Sequence, residues 1–210
     1  MLNNIMSIFA KRNKGIIGDY EKSSVIIFLI SDNENLEVLF QVRAFNLQHQ
    51  PGDISFPGGR IEKGESEEEA AIREAIEELN IKREDFKMIG EMDSLVTHYN
   101  RIIYPFIALL NKNEINPSKD EVDHVFTVPL QYFLENEPEV YEIKITPQVP
   151  ENFPYHLIVG GRDYKFSKAN VKQYFYQYKG YVIWGMTAQI IKSFVDIIKN
   201  EKLKDYNVRK

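Results

Sequence analysis

The chain of 210 residues is long enough for about one domain, because domains usually contain ~100 to 200 residues. Its hydrophobic fraction of 43% supplies one large core and excludes disordered and collagen-like proteins. The formal net charge of -5 excludes the strong basic field of a general nucleic-acid binder, so we expect no nucleic-acid partner.

The chain contains no cysteine. Disulfides, thiolate nucleophiles and cysteine-based metal sites are therefore excluded, and a reducing compartment suits this composition. The N-terminal residues lack the continuous apolar stretch of a signal peptide, and no later stretch approaches the ~18 apolar residues of a membrane span. We predict a cytoplasmic protein that has no membrane partner.

The first predicted element is a β-hairpin. Residues 23–31 and 36–44 are rich in β-branched and aromatic side chains, and they flank a turn-like stretch at 32–35. After a polar stretch, a short strand leads into a bend at Pro57-Gly58-Gly59, where the backbone is expected to be exposed.

Two helices and a mixed sheet follow. Ser66 and Glu69 have the spacing of a capping box and predict a helix over residues 66–79. Apolar residues at helical spacing after Thr187 predict a C-terminal helix packed on the sheet, with Thr187 as its N-cap. The other predicted elements are strands at 86–97, 101–110, 125–128, 139–146, 155–159 and 173–184 and a short helix at 129–135.

The helix at 66–79 has an acidic face. At ~100° per residue, Glu74, Glu77 and Glu78 lie within an arc of about 100°. The apolar residues that cluster on the opposite side are Ile72, Ala75, Ile76 and Leu79. An acidic helix face is often simply solvated. Adjacent carboxylates repel one another, however, and a hard divalent cation such as Mg²⁺ relieves that repulsion.

Residues before the acidic face strengthen the cation hypothesis. The bend at Gly58-Gly59 leaves room for a polyphosphate close to the main chain, and its carbonyls offer further oxygen ligands. Arg73 lies one turn before Glu77, where a guanidinium is able to hold a carboxylate in a fixed orientation.

The residues 59–81 resemble the Nudix box of the Nudix hydrolases. The matching positions are Gly59, Glu65, Arg73-Glu74-Ala75, Glu77-Glu78 and Asn80-Ile81. Asn80 stands where the family has glycine, and asparagine is the next-best residue for a left-handed position after a helix.

The resemblance implies an α/β fold, namely an α/β/α sandwich around a mixed β-sheet. We expect residues 1–210 to form a single Nudix domain with N- and C-terminal extensions packed on it. The resemblance also implies hydrolysis of a nucleoside diphosphate linked to another moiety, with Mg²⁺ or Mn²⁺ as cofactor. It assigns Glu74, Glu77 and Glu78 as metal ligands, Glu74 also as a candidate base, and Glu65 and Arg73 as supports of the site.

Two further stretches are similar to Nudix coenzyme A pyrophosphatases. Residues 39–44 and 52–59 resemble the motif that precedes the box in that subfamily, and residues 180–188 resemble a run near its C-terminus. Arg43 is therefore expected to bind the phosphates of coenzyme A, and Gly58 and Gly59 to lie against the substrate. Gln48 stands where the motif has a second basic residue.

Glu121 lies in a polar loop and is a further catalytic candidate, either as general base or as an additional ligand. We predict that the chain hydrolyses the pyrophosphate bond of coenzyme A or acyl-coenzyme A. The alternatives are another Nudix substrate (ADP-ribose, NADH, a dinucleoside polyphosphate or a damaged nucleotide) and a Nudix module that binds nucleotides without hydrolysis. The expected partner is a small-molecule nucleotide, and a homodimer is compatible with the sequence.

Overall fold

The computed structural model describes residues 1–13, 15–32, 35–111 and 114–208. Four helices and eleven strands are present in that part of the chain. The helices are α1 (Leu2–Lys11), α2 (Glu67–Leu79), α3 (Leu130–Glu135) and α4 (Gly185–Val208). The strands are β1 (Glu21–Asp32), β2 (Asn35–Arg43), β3 (Ile54–Ser55), β4 (Gly58–Arg60), β5 (Phe86–Glu91), β6 (Leu95–Val96), β7 (Arg101–Leu110), β8 (Val122–Pro129), β9 (Glu139–Ile145), β10 (Ala169–Tyr178) and β11 (Tyr181–Trp184).

The larger sheet contains eight strands and is mixed. Its main path runs β3-β2-β1-β7-β5, and β4, β8 and β6 pair with β1, β2 and β7 respectively. Strands β1 and β7 are parallel, whereas the other pairs of this sheet are antiparallel. The predicted mixed sheet is confirmed.

Helices α2 and α4 cover opposite faces of this sheet. Successive side chains of a strand point to opposite faces. Accordingly, Ile26 and Phe28 of β1 pack in one core cluster with α2, whereas Ile27 and Leu29 pack in the other with α4. This arrangement is the α/β/α sandwich that the sequence predicted.

A smaller antiparallel sheet has the order β11-β10-β9. Tyr176 of β10 and Ile183 of β11 are buried in the core cluster that contains α4. The smaller sheet therefore lies on the side of the molecule opposite to α2.

Several predicted elements are confirmed. The hairpin at 23–31 and 36–44 is β1 and β2, although Asn33 and Glu34 of its turn lie outside the described residues. Helix α2 begins directly after Ser66, and Ser66 and Glu69 form the expected capping box. The predictions at 101–110, 125–128 and 129–135 correspond to β7, part of β8 and, apart from its first residue, α3.

Three predicted strands were wrong in detail. Residues 86–97 form two strands, β5 and β6, which both pair with β7 and are separated by residues 92–94. Residues 155–159 begin with a 3-10 turn, in which the Leu157 and Ile158 amides bond to nearby carbonyls. Residues 173–184 belong to a hairpin, since Lys179 and Gly180 have positive φ angles of 46° and 86° and reverse the chain.

The terminal helices also differ from expectation. Helix α4 begins at Gly185, and the Thr187 hydroxyl donates a hydrogen bond to the Ile54 carbonyl (2.9 Å), which ties α4 to β3. Helix α4 packs against the sheet as expected. Helix α1 has no buried residue. Among the described residues, no helix has the length and hydrophobicity that a membrane crossing requires.

Candidate active site

Three carboxylates meet beside the sheet. Glu74 and Glu78 come from α2, and Glu121 comes from the loop before β8. One carboxylate oxygen from each residue lies within 4.8 Å of the other two. Glu78 is buried, Glu74 is partly buried and Glu121 is exposed, so this acid cluster extends from the interior to solvent. Such a group of oxygen donors is able to hold a divalent metal ion.

Helix α2 fixes two of the three acids. Its start is set by the Ser66–Glu69 capping box, and its end is set by Asn80, which adopts the left-handed conformation (φ 51°, ψ 46°). Glu74 and Glu78 are four residues apart and therefore lie on the same face of the helix. The Gly of the Nudix box is thus replaced by a residue that adopts the required backbone conformation.

Backbone hydrogen bonds bring Glu121 to the same place. The Ser118 amide donates to the carbonyl of Glu78 (2.9 Å), and the Ala44 amide donates to the carbonyl of Glu121 (2.9 Å). The loop is therefore attached to the end of α2 at one point and to the end of β2 at the other. These two bonds hold the loop so that Glu121 lies beside Glu74 and Glu78.

Glu78 is held by two donors that the helix does not supply. Its Oε2 atom accepts from the Gly58 amide (2.8 Å) and from Nε2 of Gln41 (3.0 Å). Glu78 is only 2% exposed, and burial raises the pKa of its carboxyl group to about 7. Gln41 is a residue of the site that was not predicted from the sequence. The available signal was a polar residue within the apolar strand β2.

Gly58 and Gly59 allow the main chain to approach both the sheet and the acids. A Cβ atom on Gly58 would lie 2.2 Å from the Ser24 carbonyl oxygen. A Cβ atom on Gly59 would lie 2.3 Å from the carboxylate carbon of Glu74. Each distance is far below van der Waals contact, so larger residues at these two positions would displace β1 or the acid cluster.

Arg73 links the site loop to the acidic helix. Its Nε and one terminal nitrogen donate to the two carboxylate oxygens of Glu65 (2.9 and 3.1 Å), and the other terminal nitrogen donates to Glu74 (2.9 Å). The hydrogen bond from Arg73 also lowers the pKa of Glu65. Glu65 in turn accepts from the Glu62 amide (3.0 Å). These contacts orient Glu74 and hold the loop after β4.

Glu77 occupies a different environment. Its side chain is 57% exposed and accepts a hydrogen bond from Arg73 (3.3 Å), and it does not belong to the acid cluster. Of the three expected metal ligands, the structure therefore brings Glu74 and Glu78 together with Glu121, while Glu77 lies at the surface.

Arg43 is the last residue of β2, at the point where the pairing of β2 with β8 shifts register. Its Nε atom is buried and has no hydrogen-bond partner among the described residues. Burial raises the pKa of neighbouring Asp53, and the positive charge of Arg43 opposes this effect. The backbone of Arg43 lies next to that of Glu121, because the amide of the following residue, Ala44, donates to the Glu121 carbonyl.

Known proteins share part of this sequence. A model of the NUDIX domain matches residues 21–148. The chain is 31% identical over 171 residues to the peroxisomal coenzyme A diphosphatase NUDT7 of Mus musculus, covering 80% of this chain and 66% of that protein. It is 34% identical over 122 residues to the peroxisomal coenzyme A diphosphatase ndx-8 of Caenorhabditis elegans, covering 55% of this chain and 52% of that protein.

Among solved structures, an Ap4A hydrolase of C. elegans superimposes with a TM-score of 0.46 and 22% identity, covering 53% of this chain and 81% of that one. The chain spans about half to two thirds of the length of the two curated relatives. Because the domain model matches more than half of the sequence, the chain belongs to the Nudix family.

Proposed function

We propose that this chain hydrolyses the pyrophosphate bond of coenzyme A or an acyl-coenzyme A in a reaction that depends on Mg²⁺ or Mn²⁺. Water is added across the bond, giving 3',5'-ADP and 4'-phosphopantetheine or its acylated form. The observation that carries the proposal is the acid cluster of Glu74, Glu78 and Glu121, whose oxygens lie within 4.8 Å of one another.

The acid cluster fits a hard divalent cation. Its donors are carboxylate oxygens, which Mg²⁺ and Mn²⁺ prefer, and the absence of a side chain at Gly59 leaves space for the main chain beside Glu74. A bound cation would neutralise the charge that develops on the phosphate oxygens during hydrolysis. Glu74 and Glu78 would hold it, with Glu121 as a further ligand or as the general base.

The environments of the three acids favour a division of roles. Glu78 is buried and fixed by Gly58 and Gln41, which suits a ligand with a constant position. Glu74 is oriented by Arg73, and Glu121 is exposed. Because a general base must reach a water molecule from solvent, Glu121 is favoured for that role over Glu78, with Glu74 as the other candidate. Glu77 would support the site indirectly, by accepting a hydrogen bond from Arg73.

The choice of coenzyme A is supported by Arg43 and by the relatives. The buried Nε of Arg43 lacks a hydrogen-bond partner in the described part of the chain, and guanidinium groups form strong hydrogen bonds to phosphate. Two similar proteins are named coenzyme A diphosphatases. The cytoplasmic location expected from the sequence is part of this proposal, although both relatives are named peroxisomal.

A Nudix module that only binds nucleotides is less favoured. Placing three carboxylates together, one of them buried, opposes folding unless a cation is bound, and simple nucleotide binding does not require this arrangement. An enzyme that hydrolyses ADP-ribose, NADH or a dinucleoside polyphosphate would use the same acids. It would differ from a coenzyme A pyrophosphatase only in the residues that bind the rest of the substrate.

A substrate panel tests the proposal. Coenzyme A, acetyl-coenzyme A, ADP-ribose, NADH and diadenosine polyphosphates are incubated with the protein in Mg²⁺, in Mn²⁺ and in EDTA, and the phosphate products are identified by chromatography. We expect 3',5'-ADP from coenzyme A in either metal and no product in EDTA. Preference for another substrate would reject the coenzyme A assignment, and no metal-dependent hydrolysis of any substrate would reject the enzyme.

A further inference from the structure

Strand β9 forms an open edge of the smaller sheet. Within the described ranges it pairs with β10 alone, and all of its side chains are exposed except that of Ile145, which is partly exposed. The backbone groups on its outer side therefore have no strand partner. Such an edge readily pairs with another strand, and natural proteins usually protect it.

The edge adjoins an exposed apolar face. Tyr141 and Ile143 of β9 are 57% and 52% exposed, and Trp184 of β11 is 46% exposed. The ring of Phe175 on β10 stacks on Trp184 and makes an edge contact with Tyr141, so the aromatic groups form one continuous strip. The opposite face of the sheet carries the buried Tyr176. Exposed apolar patches of this kind commonly mark interaction sites.

We propose that β9 pairs antiparallel with β9 of a second copy, about a two-fold axis that passes beside Ile143. The two three-stranded sheets then form one continuous six-stranded sheet. The inference does not depend on the proposed function, because this edge lies on the side of the molecule opposite to α2 and its acids.

Symmetry and charge select the register. A two-fold axis between neighbouring strands is normal to the sheet, so opposed residues must lie on the same face. An axis at Glu142 would place two glutamates opposite each other, and an axis at Lys144 would do the same with two lysines. An axis at Ile143 places Glu142 opposite Lys144 of the second copy, and symmetry produces this pair twice. Opposite charges directly across an antiparallel pair are stabilising, and like charges are destabilising.

The same register joins apolar side chains on the other face. Ile143 stands opposite Ile143 of the second copy, and Tyr141 stands opposite Ile145 of the second copy. The alignment ends naturally at Pro147, which has no amide hydrogen to donate to a strand partner. One face therefore gains two ion pairs, while the other extends the apolar strip across the axis.

A charge exchange tests the pairing. Size-exclusion chromatography with light scattering should give a dimer for the unchanged protein and a monomer for Lys144→Glu and for Glu142→Lys. The double variant Glu142→Lys, Lys144→Glu restores both opposite-charge pairs and should be a dimer again. Lys87→Glu changes an exposed lysine on β5, an edge strand of the larger sheet, and should remain dimeric. A monomeric unchanged protein, or a double variant that stays monomeric, would overturn the proposal.

Cross-linking tests the register directly, since the chain has no cysteine. With Ile143→Cys, the two introduced thiols face each other, and a short thiol cross-linker should give a covalent dimer. With Val140→Cys on the same strand, the thiols are six residues apart along the pair, or about 20 Å, beyond the reach of the linker. Equal cross-linking of the two variants, or none with Ile143→Cys, would contradict the register.

Discussion

Helices α2 and α4 cover opposite faces of one sheet, but they bury different kinds of side chain. Helix α4 buries aliphatic and aromatic residues, namely Ala188, Ile190, Ile191, Phe194 and Val195. Helix α2 buries three alanines, one leucine and the carboxylate of Glu78. Each large apolar side chain of α4 contributes about 1.5 to 3 kcal/mol of transfer free energy. The small residues of α2 contribute less and allow the helix to lie close to the sheet.

This difference separates a region that stabilises the fold from one that holds a reactive group. Burial raises the pKa of both Glu78 and Glu74, which means that the interior disfavours their ionised forms. A helix selected for stability alone would carry an apolar residue at position 78. The proposed metal site would account for an acid at this position, whereas the buried residues of α4 serve packing alone.

The largest expected effect comes from α4. Phe194→Ala should lower the free energy of unfolding by about 3 to 5 kcal/mol, because it removes a buried aromatic ring and leaves a cavity. Urea denaturation measures the change. Ile197→Ala, at a residue that is exposed on the same helix, is the control and should have a much smaller effect. Similar losses in the two variants would show that α4 does not stabilise the fold through its buried face.

The next effect comes from α2 and concerns catalysis. Glu78→Gln preserves the size of the side chain but removes the buried charge, so kcat should fall by at least ~10²-fold, or about 2.7 kcal/mol of barrier. Circular dichroism should show an intact fold. Glu77→Gln is the matched control, because Glu77 is adjacent in sequence but exposed. A Glu78→Gln enzyme within about threefold of the unchanged kcat would reject the assignment of Glu78 as a metal ligand.

The contrast between Glu77 and Glu78 also marks the limit of what the sequence predicts. The spacing of Ser66 and Glu69 predicts the start of α2, because a capping box is local. The same local pattern places Glu74, Glu77 and Glu78 on one face. It does not reveal that Glu78 lies against β2 and β4 while Glu77 lies in solvent. That distinction depends on the angle at which the helix meets the sheet.

Contacts between distant segments are harder to predict. Gln41 donates to Glu78 across 37 positions of the sequence, and Glu121 arrives from a loop that is fixed to two other elements. The sequence offered Glu121 as a candidate but not its position. The predicted strand at 155–159 was wrong for a related reason, since its composition suits a strand but its amides bond to nearby carbonyls.

A third prediction concerns Arg43, the last residue of β2. Arg43→Ala should reduce kcat/KM for coenzyme A by about 1.5 to 3 kcal/mol, the usual contribution of a hydrogen bond to a charged group. If Arg43 binds the 3'-phosphate, the loss should shrink with dephospho-coenzyme A, and if it binds the diphosphate, the loss should persist. Arg60→Ala is the control, since that exposed arginine pairs with Glu21. Unchanged kinetics in Arg43→Ala would remove Arg43 from the substrate site.

A fourth prediction tests the cost of burying Glu78. Its folded-state pKa of about 7 exceeds the ordinary value of 4.5. The unfolded chain therefore loses this proton first, and the metal-free protein should lose stability as the pH rises from about 4.5 to about 7. In EDTA, the melting temperature of Glu78→Gln should therefore rise relative to that of the unchanged protein as the pH increases from about 4.5 to about 7.

Added Mg²⁺ or Mn²⁺ should favour the unchanged protein over Glu78→Gln, because a cation that binds the folded state stabilises it by mass action. The unchanged protein should then gain more melting temperature than Glu78→Gln. Equal gains would place the bound cation away from Glu78. A stability difference that does not vary with pH in EDTA would show that burial does not raise the pKa of Glu78.

The smallest expected effect lies at the end of α2. Asn80 has a φ of 51°, in the left-handed region where side chains other than glycine and asparagine cost about 1 to 2 kcal/mol. Asn80→Ala should therefore lower the free energy of unfolding by about 1 kcal/mol. Asn80→Gly, which introduces the residue usual in the Nudix box, should change it by less, because backbone relief is offset by the greater entropy of the unfolded chain. Urea denaturation distinguishes the two variants.

An alanine variant as stable as the glycine variant would show that the helix end relaxes out of the left-handed conformation. Glu78 would then be positioned by β2 and β4 rather than by the helix end.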